Sequence, residues 1–222
     1  MTPMRLPAES KGDIVNHINQ GEEDREAHLA GYTVTEVYQM YKPGDDAPMG
    51  ERTVTTTYIR GKGKTYVEQS RYGSFLAQKA FDRILKGEET LSKPENRKAA
   101  LLNSDNYSMV LVDEGKDPQP SYICNGDRPL TKTRVLEIKP RHPGPELVEG
   151  FLWVDVQNYR IVRIRGKFSE SPSFWVGRPV IERDYTEGNG FAMAISSCSV
   201  SNTWFTGKHT VQITYKDYQY LH

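Results

Sequence analysis

Cysteine is scarce. Only Cys124 and Cys198 occur in 222 residues, which excludes a small disulfide-stapled scaffold. Without a Cys-x-x-Cys or clustered histidine they are no zinc site either. Two readings of the pair stand open: two buried thiols acting as small hydrophobes, or one disulfide formed in an oxidising compartment. Net charge is also lacking, with 29 Lys and Arg against 29 Asp and Glu. That argues against nucleic-acid binding by bulk charge and against an acidic disordered chain. No run of about 18 apolar residues is present, so no helix is expected to span a bilayer. The start, Met-Thr-Pro-Met-Arg-Leu-Pro, has no apolar segment of the signal-peptide type and no nearby cysteine to carry a lipid. This leaves either a cytosolic protein or one whose signal has been removed.

Catalytic signatures are missing as well. There is no Gly-x-Ser-x-Gly and no His-Glu-x-x-His. The histidines His17, His28, His142, His209 and His222 show no i, i+4 pairing with Glu and no neighbouring Cys. Solvated surface positions are expected for His142 and His209. No metal, cofactor or catalytic residue is expected. Arg60-Gly-Lys-Gly-Lys-Thr65 ends like a phosphate loop but lacks the first Gly and a following helix, so it reads as a hairpin turn with a solvated Lys. Asn106-Tyr-Ser108 matches a glycosylation acceptor, a tripeptide common by chance.

What is abundant is tyrosine, thirteen residues, together with Thr and regular alternation. The length suffices for a real core, and an all-β chain of this size is expected as one domain, 1–222. Glu9 to Leu29 reads as an N-terminal helix within 1–30, with Ile14, Val15 and Ile18 on one face and Gly21 weakening its middle. Period two then takes over. Tyr32, Val34, Glu36, Tyr38 and Met40 share one phase, and Arg52 to Arg60 and Lys64 to Ser70 follow as strands. A helical insert over 74–103 comes next: an amphipathic helix from Ser74 to Lys86 stopped by Gly87, then a short helix at Pro94 to Leu102.

After Asn106 the pattern is strands alone. They run over Tyr107 to Val112, Ser121 to Cys124, Thr131 to Ile138, Leu147 to Val156, Arg160 to Phe168, Phe174 to Tyr185, Phe191 to Val200 and Thr210 to Tyr218, with tight turns at Asp155–Asn158 and Glu187–Gly190. Arg163, Arg165 and Lys167 read as the wet face of one strand. The fold class is therefore mainly β (α+β): a single unclosed antiparallel β-barrel, or strongly curved sheet, of about ten or eleven strands with a helical lid. A sheet this wide under so little helix is expected to leave an apolar cavity. The expected lining is Phe75, Phe81 and Ile84 from the insert with Tyr58, Met109, Trp153, Trp175, Ile195 and Ile213 from the strands. The face each strand residue takes depends on register.

The second half resembles a known family. Gly150-Phe-Leu-Trp-Val-Asp155 followed by Tyr159-Arg-Ile-Val-Arg-Ile-Arg-Gly-Lys-Phe168 is similar to the central hairpin of the outer-membrane lipoprotein-sorting (LolA/LolB-like) superfamily. Pro172 to Tyr185 fits that family's next strand and Gly207 to Tyr218 its closing strand. The resemblance implies a non-catalytic carrier that holds a lipid or lipoprotein acyl chain in a hydrophobic cavity, without cofactor. It implies a periplasmic protein with its signal peptide removed. The implied partners are a lipid or lipid-modified protein and a membrane-associated donor or acceptor protein. No nucleic acid is expected, and the chain is expected to be a monomer. Family carriers hold the lid with an arginine on an early strand, for which Arg52 and Arg60 are candidates. A sensor or regulatory module that binds a membrane protein and lipid is the alternative, and an enzyme with a spatially assembled site comes third.

Overall fold

The computed structural model describes residues 11–112, 130, 132–171, 177–203 and 207–221. Helix α1 (Lys11–His28) leads into β1 (Gly31–Tyr41), β2 (Gly50–Ile59) and β3 (Gly63–Gly73). Helices α2 (Phe75–Ser92) and α3 (Pro94–Arg97) follow. Strands β4 (Tyr107–Leu111), β5 (Thr133–Pro140), β6 (Val148–Asp155), β7 (Ile161–Phe168), β8 (Val180–Gly188), β9 (Phe191–Thr203) and β10 (Gly207–Leu221) complete the chain. The ten strands among the described residues form one antiparallel sheet in the order β3-β2-β1-β10-β9-β8-β7-β6-β5-β4. β3 and β4 are its two edges and do not pair with each other, so the sheet is not a closed barrel. Because β1 pairs with β10, the first three strands extend the long meander at its far side. The helical insert then has to carry the chain from one edge of the sheet to the other.

One helix runs further than its sequence suggested, and the other runs unbroken through its glycine inside the expected Glu9 to Leu29. α1 continues through Gly21, where an added Cβ would meet nothing and the solvent-facing position tolerates the weak residue. α2 continues through Gly87 to Ser92. That glycine costs about 1 kcal/mol in a helix interior. The last turn is held by tertiary contacts instead: Ser92 Oγ accepts the Lys64 N–H at 2.7 Å and Glu88 pairs with Lys64. The elbow from β3 into α2 needs Gly73, which sits at φ +94 with Gly50 Cα 2.4 Å from where a Cβ would stand. Ser74 caps α2 by accepting from the Ala77 N–H at 3.2 Å.

The helices divide the face they cover. Under α2, Phe81 and Leu85 pack with Tyr38, Val54, Tyr58, Val211 and Ile213. Burying Phe81 alone contributes about 2–3 kcal/mol. Under α1, Ile14 and Ile18 pack with Tyr107, Met109, Leu136, Leu152 and Ile164. Tyr107 is fully enclosed there, its hydroxyl accepting the Val148 N–H at 3.1 Å, and burial pushes its pKa up to about 12.

Several sequence expectations are corrected by burial. His209 is buried, its Nδ1 3.1 Å from the Gly207 carbonyl. Asn106 is also buried and donates to the Lys98 and Leu101 carbonyls, so its amide is committed and unsuited to glycosylation. Arg163 and Arg165 are not solvated: Arg163 Nε donates to Asp184 at 2.6 Å and Arg165 pairs with Glu182. Lys64 of the phosphate-loop look-alike is largely enclosed and ion-paired rather than solvated. The expected strand at Ser121 to Cys124, and the start of that at Phe174 to Tyr185, lie outside the described residues.

Candidate functional site

The candidate site is where the two helices lie on the sheet over two packed apolar layers. Tyr58, Phe81 and Ile213 meet in the apolar layer under α2, and Ile84 packs against it. Met109 belongs to the other layer, under α1. The expected single lining is thus split in two. Phe75 is not enclosed: it opens α2 at 74% exposure, with Lys79 Nζ 4.7 Å from its ring. Trp153 lies on the opposite sheet face from Leu152 and Val154, against Arg165, and Ile195 joins neither layer. Trp175 lies outside the described residues.

Near the junction of the layers lies a belt of charge and tyrosine. Glu36 of β1 is fully buried and accepts from the Tyr38 hydroxyl. Lys64 Nζ donates to Glu88 Oε2 at 2.6 Å and stands 4.0 Å from Glu36 Oε1. Arg183 of β8 reaches Glu88 from the other side at 3.5 Å. One α2 carboxylate is therefore pinned between the β3 edge and the middle of the sheet. Burial pushes the Glu36 carboxyl up. Burial opposes ionisation of Glu88 too, yet Lys64 and Arg183 beside it hold its carboxyl below the usual range. Burial likewise raises the Tyr185 and Tyr215 hydroxyls.

The other half of α2 is tied by Arg52 of β2, which is 3% exposed. Its Nε donates to Gln78 Oε1 at 3.0 Å, Nη1 to Asp82 Oδ1 at 2.6 Å, and Nη2 reaches the Gln78 carbonyl at 3.5 Å. Gln78 in turn donates to the Glu51 and Tyr72 carbonyls. Of the two candidate arginines, Arg52 is the one that joins an early strand to the covering helix.

A cleft of about 510 Å³ opens between α1 and the β6–β7 and β8–β9 turns. His17 stacks on Tyr159 at 4.1 Å, and Arg160 ties the two turns through Glu187 at 2.5 Å and the Gly190 carbonyl at 3.1 Å. A smaller cleft of about 290 Å³ lies between α1 and β4, beside Val15, Tyr107 and Met109.

The sequence did not point to Lys64, Glu88, Arg183 or Arg52 as a set, because their partners are distant in the chain. Glu36 was detectable: it stands in phase with Val34 and Tyr38, and an acid in an inward phase is itself the signal. Cys198 is disulfide-bonded, and the chain's other cysteine, Cys124, lies outside the described residues.

No family model matches the sequence, and no curated protein does. Among solved structures the chain is similar to a LolA superfamily protein from Nitrosomonas europaea, at 9% identity and TM-score 0.45 over 94% of each chain. It is similar to an outer membrane lipoprotein-sorting protein domain from Vibrio parahaemolyticus, at 12% identity and TM-score 0.49 over 91% of this chain and 90% of that one. A DUF1329 family protein from Desulfovibrio piger aligns at 12% identity and TM-score 0.39 over 93% and 92%. The unclosed antiparallel sheet with helices over one face rests on the chain's own strand order and pairing.

Proposed function

We propose that this protein is a non-catalytic carrier that takes an acyl chain of a lipid or lipid-modified protein between α2 and the sheet. The observation that carries the reading is how α2 is held. Its underside is apolar, with Ala77, Phe81 and Leu85 on the layer that includes Tyr58 and Ile213. Its tethers are polar: Arg52 to Gln78 and Asp82 at one end, Lys64 and Arg183 to Glu88 at the other. A helix seated on an apolar layer by exchangeable polar clamps suits reversible opening, because hydrocarbon then replaces helix without stranding apolar surface in water. The disulfide at Cys198 supports an exported, periplasmic protein. The sequence resemblance to lipoprotein-sorting proteins points the same way.

The alternative, a regulatory module docking on a membrane protein, draws on a different feature. Val67 and Tyr72 on the edge strand β3 and Phe75 at the start of α2 are all more than half exposed. The same patch suits the donor or acceptor protein of a carrier.

The test is uptake. Delipidated protein with a native circular dichroism spectrum is incubated with vesicles carrying a fluorescent acyl lipid, then separated and analysed by native mass spectrometry. One lipid per chain is expected. Protein that stays lipid-free at saturating vesicle concentration overturns the carrier reading.

A further inference from the structure

The cleft beside α1 holds a cation that feels the charges of Glu22 and Glu26 but bonds to neither. Arg25 lines it, and among the described residues its guanidinium makes no hydrogen bond and no ion pair. Its Nε is sealed from solvent without a partner. A buried guanidinium N–H left unsatisfied is costly and uncommon in a native structure. Two of the neighbouring charges are otherwise engaged. Arg160 is spent on Glu187 and the Gly190 carbonyl. Asp24 accepts from Gln20 at 3.2 Å on the exposed side of the helix. Glu22, one turn before Arg25, is the opposing acid, and burial raises its carboxyl against the pull of Arg25 and Arg97. The rim adds the stacked pair His17 and Tyr159. Tyr159 holds φ +57, a conformation that non-glycine residues adopt at a cost and that here presents its ring to the cleft.

The cleft also borders the apolar layer under α2: Phe191 lines the cleft and packs against that layer. Tyr32 and Tyr185 are the hydroxyls that act on Arg25 from the sheet. The Tyr32 ring lies 5.4 Å from Tyr58 and 5.5 Å from Tyr218, and Tyr32 and Tyr58 belong to the apolar layer under α2. Tyr32 thus belongs both to the groups that act on Arg25 and to the layer proposed above for the acyl chain.

We propose that this cleft is an anion site, with Arg25 as the anchoring residue, that takes the phosphate or carboxylate of an amphiphile whose chain lies under α2. The inference rests on the carrier reading for the chain and on Arg25 alone for the head. Charge-assisted bonds from a guanidinium to an oxyanion are strong in partly enclosed sites, so the site should distinguish charged from uncharged heads carrying the same chains.

The full chain, delipidated, is titrated with fluorescent phosphatidylglycerol, with diacylglycerol bearing the same label and chains, and with inorganic phosphate. Wild type, Arg25→Gln and Arg25→Lys are compared, with thermal melts as the folding control. Phosphatidylglycerol is expected to bind about ten- to hundredfold more tightly than diacylglycerol. Arg25→Gln should erase that ratio and leave diacylglycerol affinity unchanged, while Arg25→Lys should keep part of it. Equal affinities in wild type, or a preference that survives in folded Arg25→Gln, overturns the anion site and leaves the carrier intact. If neither lipid binds, the carrier reading falls and the phosphate titration decides the site. Phosphate binding lost in Arg25→Gln then assigns it to a soluble anion, and no phosphate binding overturns it.

Discussion

Replacing Arg52 by Met should open α2 without unfolding the sheet. The methionine keeps the apolar stem but removes every donor. The Arg52–Gln78 bond at 3.0 Å is worth about 1 kcal/mol. The bond to Asp82, though only 2.6 Å long, counts for about 0.5–1 kcal/mol because Asp82 is 60% exposed and screened. Gln78 is 7% exposed, and its Oε1, left without its donor, adds about 1 kcal/mol of desolvation. The partly exposed Glu68, 3.5 Å from Arg52 Nε, adds little, and the sum is about 2.5–3 kcal/mol. If it falls on the helix alone, the population with α2 lifted rises about 60- to 150-fold, at about 1.4 kcal/mol per factor of ten. Hydrogen exchange read by mass spectrometry separates the possibilities. Amides of Ala77 to Leu85 should lose protection by that factor, while those of β8 and β9 hold theirs. Fluorescent acyl lipid should load faster into the variant. Unchanged exchange in α2, or an equal loss across all strands, would refute the assignment of Arg52 as a local clamp.

Phe81→Ala should cost about 3–5 kcal/mol in urea melts, since Phe81 is fully buried against Tyr38, and a cost under 1 kcal/mol would mean the layer collapses around the gap. Glu88→Gln should destabilise by about 3 kcal/mol at pH 7 by leaving Lys64 and Arg183 short of a carboxylate. Because the folded state holds this carboxyl below its ordinary value of about 4.5, its contribution is complete above that pH and is lost as pH falls through the folded value. The gap between wild type and variant should therefore close in acid, and a gap constant from pH 7 to pH 3 would sink the ion-pair account. Glu36 has the opposite sign: its raised carboxyl favours the folded state in acid, so Glu36→Gln should gain on wild type as pH rises. Cys198 should resist alkylation until reductant is added, and ready labelling of native protein would remove the disulfide.

Much of the architecture was legible in the residue pattern. Alternation placed β1, β2 and β10 with little error, and the period of 3.6 in Phe81, Ile84 and Leu85 located α2. Errors came where a distant partner overrode a local rule. Gly87 reads as a helix stop, but Lys64 holds the turn beyond it. Arg163 and Arg165 read as solvated, but Asp184 and Glu182 across the sheet enclose their charge. Phe75 and Phe81 look alike as aromatic positions of one helix, yet one faces solvent and the other the sheet, and only the placement of α2 separates them.

Sequence by itself determined the elements, their antiparallel meander and the inward phase of β1, because these depend on spacing between near neighbours along the chain. Tertiary structure alone decided that β1 pairs with β10, that α2 lies under polar clamps, and that Arg25 Nε stands in a cleft without a hydrogen-bond partner. Each of those rests on groups far apart in sequence, whose charges and hydrogen bonds are settled only when the fold brings them within a few ångströms or fails to.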